Sequence, residues 1–179
     1  MAQISIFAVL SAVGARIMIP VPLVPFTLQT FVCMVAGMVL GSKKGAASQA
    51  LYMFMGLVGI PVFTNGGGPA SVLTPSFGYI VGFVACGWVT GRIVEIRSKS
   101  GQPSKIDYLT AAAAGIIAVY SIGLLHLYII MNFLMPGNGM PLMKVLSVGL
   151  FSTIGGDVIK AFLAASAAAK LRRTGVFKN

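Results

Sequence analysis

Apolar runs fill this chain almost from end to end, and little separates them. They lie at 4–19, 26–40, 46–60, 77–94, 108–135 and 142–171, divided by short segments of proline, glycine and basic residues. A helix crossing a bilayer needs roughly 20 apolar residues, so each run has the length of a full or partial membrane span. Only 9% of the residues are charged, against about 25% in ordinary soluble domains. So few charges cannot cover a water-soluble surface, and the exposed apolar area has to meet lipid. The expected fold is therefore an all-α integral membrane protein, one domain over 1–179 built as a bundle of six transmembrane helices.

The breaks between runs have physical causes. Pro20, Pro22 and Pro25 follow the first run, and proline lacks the donor a helix needs. The second run is short for a full span and is expected to reach only partway into the outer leaflet. A tight polar turn is expected at 41–45. The loop at 61–69 and that at 136–141 are built of turn residues. The last run is long, and Gly155 and Gly156 are the expected interruption.

The positive charges set the orientation. Lys43 and Lys44 lie in loop 2–3, Arg97, Lys99 and Lys105 in loop 4–5, and Lys170, Arg172, Arg173 and Lys178 at the C-terminal end. An alternating six-helix path brings all three places to one side, and the positive-inside rule makes that side cytoplasmic. Both termini are then cytoplasmic, and the proline- and glycine-rich loops face outside. The same distribution accounts for the net charge of +10 without a nucleic-acid partner.

Charges inside a span are the strongest local clue to function, since each costs about 2.5–3.5 kcal/mol at helix centre on insertion scales. The sixth run holds Asp157 and Lys160. Three positions apart on a helix, they share a face and can pair. They form either an ion pair that locks the helix to the bundle or a ligand site, and the preceding glycines leave room for close approach. A carboxylate accepts N–H bonds and an ammonium donates to oxygen, so the two could recognise a cyclic urea edge-on. Spacing alone does not name that ligand.

Other polar residues carry two readings each. Asn65 precedes three glycines and is either a turn residue or part of an anion-accepting loop. Gln29 and Thr27 sit at the mouth of the second run, as pocket contacts or as helix–helix hydrogen bonds. Tyr79 opens the fourth run as an interfacial aromatic or a pocket wall. Trp88 and His126 are expected to pack, and Arg16 to reach the interface. Cys33 and Cys86 lie in apolar runs and are read as lipid-depth or core residues. Ala8 and Ala12 form a small-xxx-small pattern that admits another helix, of this chain or of a partner.

No Walker A sequence is present, and Asp157 lacks a second intramembrane aspartate for a protease dyad. No His/Cys cluster suggests a metal. The expectation is a protein that is not an enzyme and has neither catalytic nor metal site. An ion-coupled secondary transporter and a ligand-free membrane scaffold remain as alternatives.

Four segments together resemble one family. They are Ile19-Pro20-Val21-Pro22-Leu23-Val24-Pro25-Phe26-Thr27-Leu28-Gln29-Thr30, Gly56-Leu57-Val58-Gly59-Ile60-Pro61-Val62-Phe63, Pro75-Ser76-Phe77-Gly78-Tyr79-Ile80-Val81-Gly82-Phe83 and Gly156-Asp157-Val158-Ile159-Lys160-Ala161. In this order they are similar to the BioY family, the biotin-specific S components of energy-coupling factor (ECF) transporters. The resemblance implies a six-helix protein of a prokaryotic cell (plasma) membrane that captures biotin from outside and topples to release it inside. Biotin is then a transported ligand and no cofactor is implied. It also implies a transmembrane coupling protein (EcfT) and two ABC ATPase subunits as partners within the lipid bilayer. By the same resemblance Asp157 and Lys160 contact biotin, and the glycine loop with Asn65 and Tyr79 form the outer wall. Thr74 is a polar contact, Gln29 belongs to the proline-loop region that acts as a lid, and Ala8 and Ala12 dock the coupling protein.

Overall fold

The computed structural model describes residues 1–135 and 139–174. The expectations placed on 136–138 and on Lys178 lie outside the described residues. The chain begins with α1 (Ala2–Arg16) and then forms a small antiparallel pair, β1 (Met18–Ile19) and β2 (Phe26–Thr27). Met18 pairs with Thr27 and Ile19 with Phe26. The proline loop is thus the tip of a hairpin folded over the mouth of the bundle. Then come α2 (Gln29–Leu40), α3 (Ser42–Leu57), a 3-10 turn (Pro69–Leu73), α4 (Phe77–Ser98) and α5 (Lys105–Ile129). A π turn (Ile130–Leu134) extends α5. The last run is divided into α6 (Leu142–Leu146), a π turn (Ser147–Phe151) and α7 (Ile154–Arg173).

Among the described residues, three helical stretches are long and apolar enough to cross a membrane: Phe77–Ser98, Lys105–Leu134 and Leu142–Arg173. Ala2–Arg16 and Gln29–Leu40 are apolar but shorter. At 1.5 Å per residue α2 is only about 18 Å long. It survives at that length because it is central: α1, α3, α4, α5 and α7 all pack against it, and every residue from Val32 to Leu40 is buried.

The tightest crossing is glycine against glycine. A Cβ on Gly45 would strike Gly37 on α2 and approach the Gly87 carbonyl on α4, and one on Gly87 would strike Gly45. Three backbones meet there with no side chain between them, the packing expected where small residues replace the hydrophobic drive of water.

Several helix ends differ from the sequence expectation. The polar turn at 41–45 contracts to Gly41, whose φ of 86° favours glycine, and Ser42, Lys43 and Lys44 belong to α3. The reason is distant: the Glu95 carboxylate accepts from the Ser42 N–H at 2.7 Å and its hydroxyl at 2.8 Å, capping the helix from α4. At the other end of loop 4–5, α5 starts at Lys105 because Ser104 and Asp107 form a capping box. The last run is interrupted at 147–153, ahead of Gly155 and Gly156, which lie in the first turn of α7. Trp88 is 51% exposed on the bundle's outer face instead of packed within it.

Candidate functional site

The break before α7 places Asp157 in that helix's first turn, where the positive end of the helix dipole favours a carboxylate. Asp157 is 4% exposed and Lys160 6%. The two form an ion pair. Tyr120 on α5 donates to Asp157 Oδ2 at 2.5 Å, and the Thr153 hydroxyl lies 2.7 Å from the Tyr120 oxygen. Oδ1 accepts no hydrogen bond from the described residues and has only the Lys160 ammonium as its ionic partner. The carboxylate therefore keeps lone-pair capacity for a further donor.

Lys160 also works on the hairpin. Its ammonium donates to the Thr27 carbonyl at 2.7 Å and stands 3.8 Å above the Phe26 ring centre, a cation–π contact. Gly156 completes the joint, because a Cβ there would run into the Phe26 ring. The hairpin's second strand is thus fastened to α7 by one charge and one absent side chain.

A second polar group lies on the facing side. Thr27 donates to Gln29 Oε1 at 3.1 Å, Gln29 Nε2 donates to the Tyr52 hydroxyl at 2.8 Å, and Tyr52 donates to the Val62 carbonyl at 3.2 Å. This relay connects the hairpin, α2, α3 and the loop after α3. On α4, Tyr79 donates to the Gly149 carbonyl at 2.9 Å. That carbonyl belongs to the π turn before α7, so the helical irregularity gains a partner from the pocket wall.

Between these groups lies a cavity of about 530 Å3, its open mouth included. Asp157, Tyr120, Thr153, Gln29, Tyr52 and Thr30 offer it polar atoms, while Phe26, Phe83, Ile80, Val119 and the ring of Tyr79 offer apolar wall. A mostly apolar hollow with a few convergent polar groups is the usual form of a small-molecule site.

The structure distributes the expected site residues over three places. Asp157, Tyr79 and Gln29 line this cavity. Asn65 and Thr74 line a neighbouring outer hollow with Pro20 and Val21, and the two hollows share Pro25 and Ser76. The Thr74 hydroxyl donates to the Ser71 carbonyl at 2.6 Å. Lys160 lines a third, apolar hollow on the far side of Phe26 and Thr27. Ala8 is 1% exposed and packs with Ala12 against a cluster of Tyr52, Phe63 and Phe77. The outward face of α1 instead presents Ile6, Val9, Leu10 and Val13.

Sequence reading missed Tyr120, Tyr52, Thr153 and Phe26. It read the cysteines as lipid-depth or core residues. They are buried in the core, with the Cys33 and Cys86 sulfurs 3.3 Å apart between α2 and α4.

Comparison with known proteins falls on the same frame. The family model described as the BioY family matches residues 1–176. The probable biotin transporter BioY of Lysinibacillus sphaericus is 44% identical over 130 residues, covering 73% of this chain and 65% of that relative, a little under two thirds of its length. The biotin transporter BioY of Thermotoga maritima is 36% identical over 172 residues, covering 96% of this chain and 94% of the relative. Among solved structures, the S-component for biotin from an ECF-type ABC transporter superposes with a TM-score of 0.85 at 27% identity. It covers 98% of this chain and 92% of the other.

Proposed function

The chain belongs to the BioY family, and we propose from that premise that it captures biotin in the cavity beside Asp157 and carries it across the membrane as the S component of an ECF-type importer. The observation that carries the reading is Asp157 itself: a buried carboxylate, paired with Lys160 and bonded by Tyr120, in the lining of the cavity.

Biotin's ureido ring has two N–H donors and one carbonyl. The Asp157 carboxylate accepts one N–H while Tyr120 holds the carboxylate's other oxygen in place. Hydrogen bonds to a charged acceptor contribute more than neutral ones, about 1.5–3 kcal/mol, and the low dielectric of the pocket strengthens them. The Gln29–Tyr52 relay offers a carbonyl and hydroxyls to the remaining ring atoms. Phe26, Phe83, Ile80 and Tyr79 cover the thiophane ring. The valeryl chain leads toward the outer hollow, where the Asn65 side-chain amide donates to its carboxylate and Thr74, its hydroxyl held by the Ser71 carbonyl, lines the wall. Lys160 acts from behind Phe26, pairing with Asp157 and holding the hairpin closed over the ligand.

The path of the chain follows the charge asymmetry. Six crossings put Lys43, Lys44, Arg97, Lys105, Arg172 and Arg173 on the cytoplasmic side of the plasma membrane, with both termini. The hairpin and the cavity mouth then face outside, where the vitamin arrives. No step in this function breaks a covalent bond, and ATP hydrolysis belongs to partner subunits: a membrane coupling protein and two ABC ATPases. Ala8 and Ala12 serve that docking indirectly, by setting how closely α1 lies on α3.

Equilibrium dialysis of labelled biotin against the purified chain, without any partner, tests the reading. Saturable one-to-one binding, competed by unlabelled biotin, is expected. A folded chain that binds none would return the protein to the class of ligand-free membrane subunits.

A further inference from the structure

At the opposite end of the bundle from the cavity, a further hollow lies between the start of α5 and the end of α7. It has a volume of about 1190 Å3 with its open mouth, and its lining includes Lys105, Tyr108, Arg172 and Arg173, with Ser98 and Gln102 at the edge. We propose that this hollow binds the phosphodiester headgroup of an anionic phospholipid of the cytoplasmic leaflet.

The chain has 13 lysines and arginines and only three acidic side chains, and each acid is already committed. Glu95 caps Ser42 and lies 3.9 Å from Arg92. Asp107 accepts from the Ser104 N–H at 2.9 Å and pairs with Arg97 at 3.2 Å. Asp157 is held by Lys160 and Tyr120. No side-chain carboxylate is left for Lys105, Arg172 or Arg173. Among the described residues, Arg172 donates to the Met38 carbonyl at 3.3 Å, a neutral acceptor that leaves its charge unbalanced. Among the described residues no carboxylate balances this hollow, which leaves it open to an external anion.

The placement of the charges adds to this. Arg172 and Arg173 sit at the C-terminal end of α7, where the helix dipole welcomes a cation. Lys105 sits at the first position of α5, where the dipole opposes one. A lysine placed against the dipole and beside two arginines is the pattern of a site that receives an anion. Tyr108 lines the same hollow and lies within the electrostatic reach of Arg172 and Arg173. Its hydroxyl makes no hydrogen bond to the described residues, so it can donate to a phosphate oxygen held there.

Position selects the lipid over a free anion. The hollow is at the ends of two of the long apolar helices, at headgroup depth on the side the charge asymmetry assigns to the cytoplasm, so it rests on that orientation. Ile106 beside it is 70% exposed and offers acyl chains an apolar surface. Basic pockets between membrane helices on this side suit anionic headgroups.

The test uses the delipidated chain in detergent, titrated with phosphatidylglycerol and with phosphatidylcholine of the same acyl chains and read by native mass spectrometry. Phosphatidylglycerol should be retained at least about tenfold better, with one tightly held molecule. The preference should fall about tenfold or more in Lys105→Gln/Arg173→Gln, fall partly in Tyr108→Phe, which removes only the hydroxyl, and survive in Lys43→Gln on the same membrane side. Equal retention of the two lipids would overturn the proposal. So would an equal fall in Lys43→Gln, which would mean diffuse surface charge. Displacement of the lipid by inorganic phosphate at matching concentration would make this a free-phosphate site and overturn the assignment to lipid. Biotin binding is read on the same samples: biotin bound without lipid preference fails this proposal alone, and lipid preference without biotin fails only the transport reading.

Discussion

The Lys160 ammonium donates to the Thr27 carbonyl 2.7 Å away, 133 residues earlier in the chain, while it pairs with Asp157 three residues before it. One charge thus fixes both the ligand-facing carboxylate and the strand that closes the cavity. The site and its lid share a single joint.

That joint predicts unequal effects of breaking it from its two sides. Lys160→Met leaves a buried carboxylate unpaired and the Thr27 carbonyl without its donor. Removing one partner of a buried pair costs about 3–5 kcal/mol, so the thermal midpoint in detergent should drop sharply. Asp157→Asn should cost less, because the amide still accepts from Tyr120. In the double variant the losses should not add, since the second substitution removes the charge the first left stranded. Strictly additive midpoints would contradict the pairing.

Tyr120→Phe removes the donor that holds the Asp157 carboxylate in place, so it should lower biotin affinity by about tenfold and also lower the thermal midpoint, since the lost bond lies within the fold. Calorimetric titration reads it. Unchanged affinity would place the ligand away from the Asp157–Tyr120 pair.

Gly156→Ala should act on the lid. The added methyl meets the Phe26 ring, and that ring must swing away from α7 and lose the Lys160 contact. Biotin dissociation, followed by chase with unlabelled ligand, should accelerate while the stability of the bundle stays near that of the parent. A slower or unchanged off-rate would mean that Phe26 does not close the site.

Asp107 gives a prediction in pH. The Ser104 backbone N–H and hydroxyl donate to its carboxylate and Arg97 lies beside it, and together they hold its pKa below the usual carboxylate value. A depressed native pKa means that the contribution is full above the unfolded pKa and is lost only as pH falls through the lower, native one. Hydrogen exchange at 104–109 should therefore show the same protection at pH 7 and pH 5, whereas Asp107→Asn should expose this turn at both. Fraying of the parent at pH 5 would contradict the capping box.

The sequence made Asp157, Gln29 and Tyr79 legible for different reasons. A carboxylate in an apolar run is rare enough to stand out, and the other two sit in segments whose residue order resembles a family. Tyr120 and Tyr52 were hidden because a tyrosine in an apolar run reads as an interfacial or packing residue. Only the rotation of α5 against α7 brings the Tyr120 hydroxyl to Asp157. The start of α3 was hidden for a similar reason, as its cap is Glu95, 53 residues onward. The π turn at Ser147–Phe151 leaves no trace in hydropathy, which stays apolar through the irregular stretch, yet it decides that Asp157 opens a helix instead of sitting in its middle.

The most direct test of the central claim is calorimetric titration of biotin into the purified chain and into Asp157→Asn, both shown to be folded by thermal unfolding. Stoichiometric binding by the parent is expected, with a loss of about tenfold to a hundredfold in the variant, the scale of a hydrogen bond to a charged group. Equal affinity in a folded Asp157→Asn chain would contradict that claim and move the ligand out of this cavity.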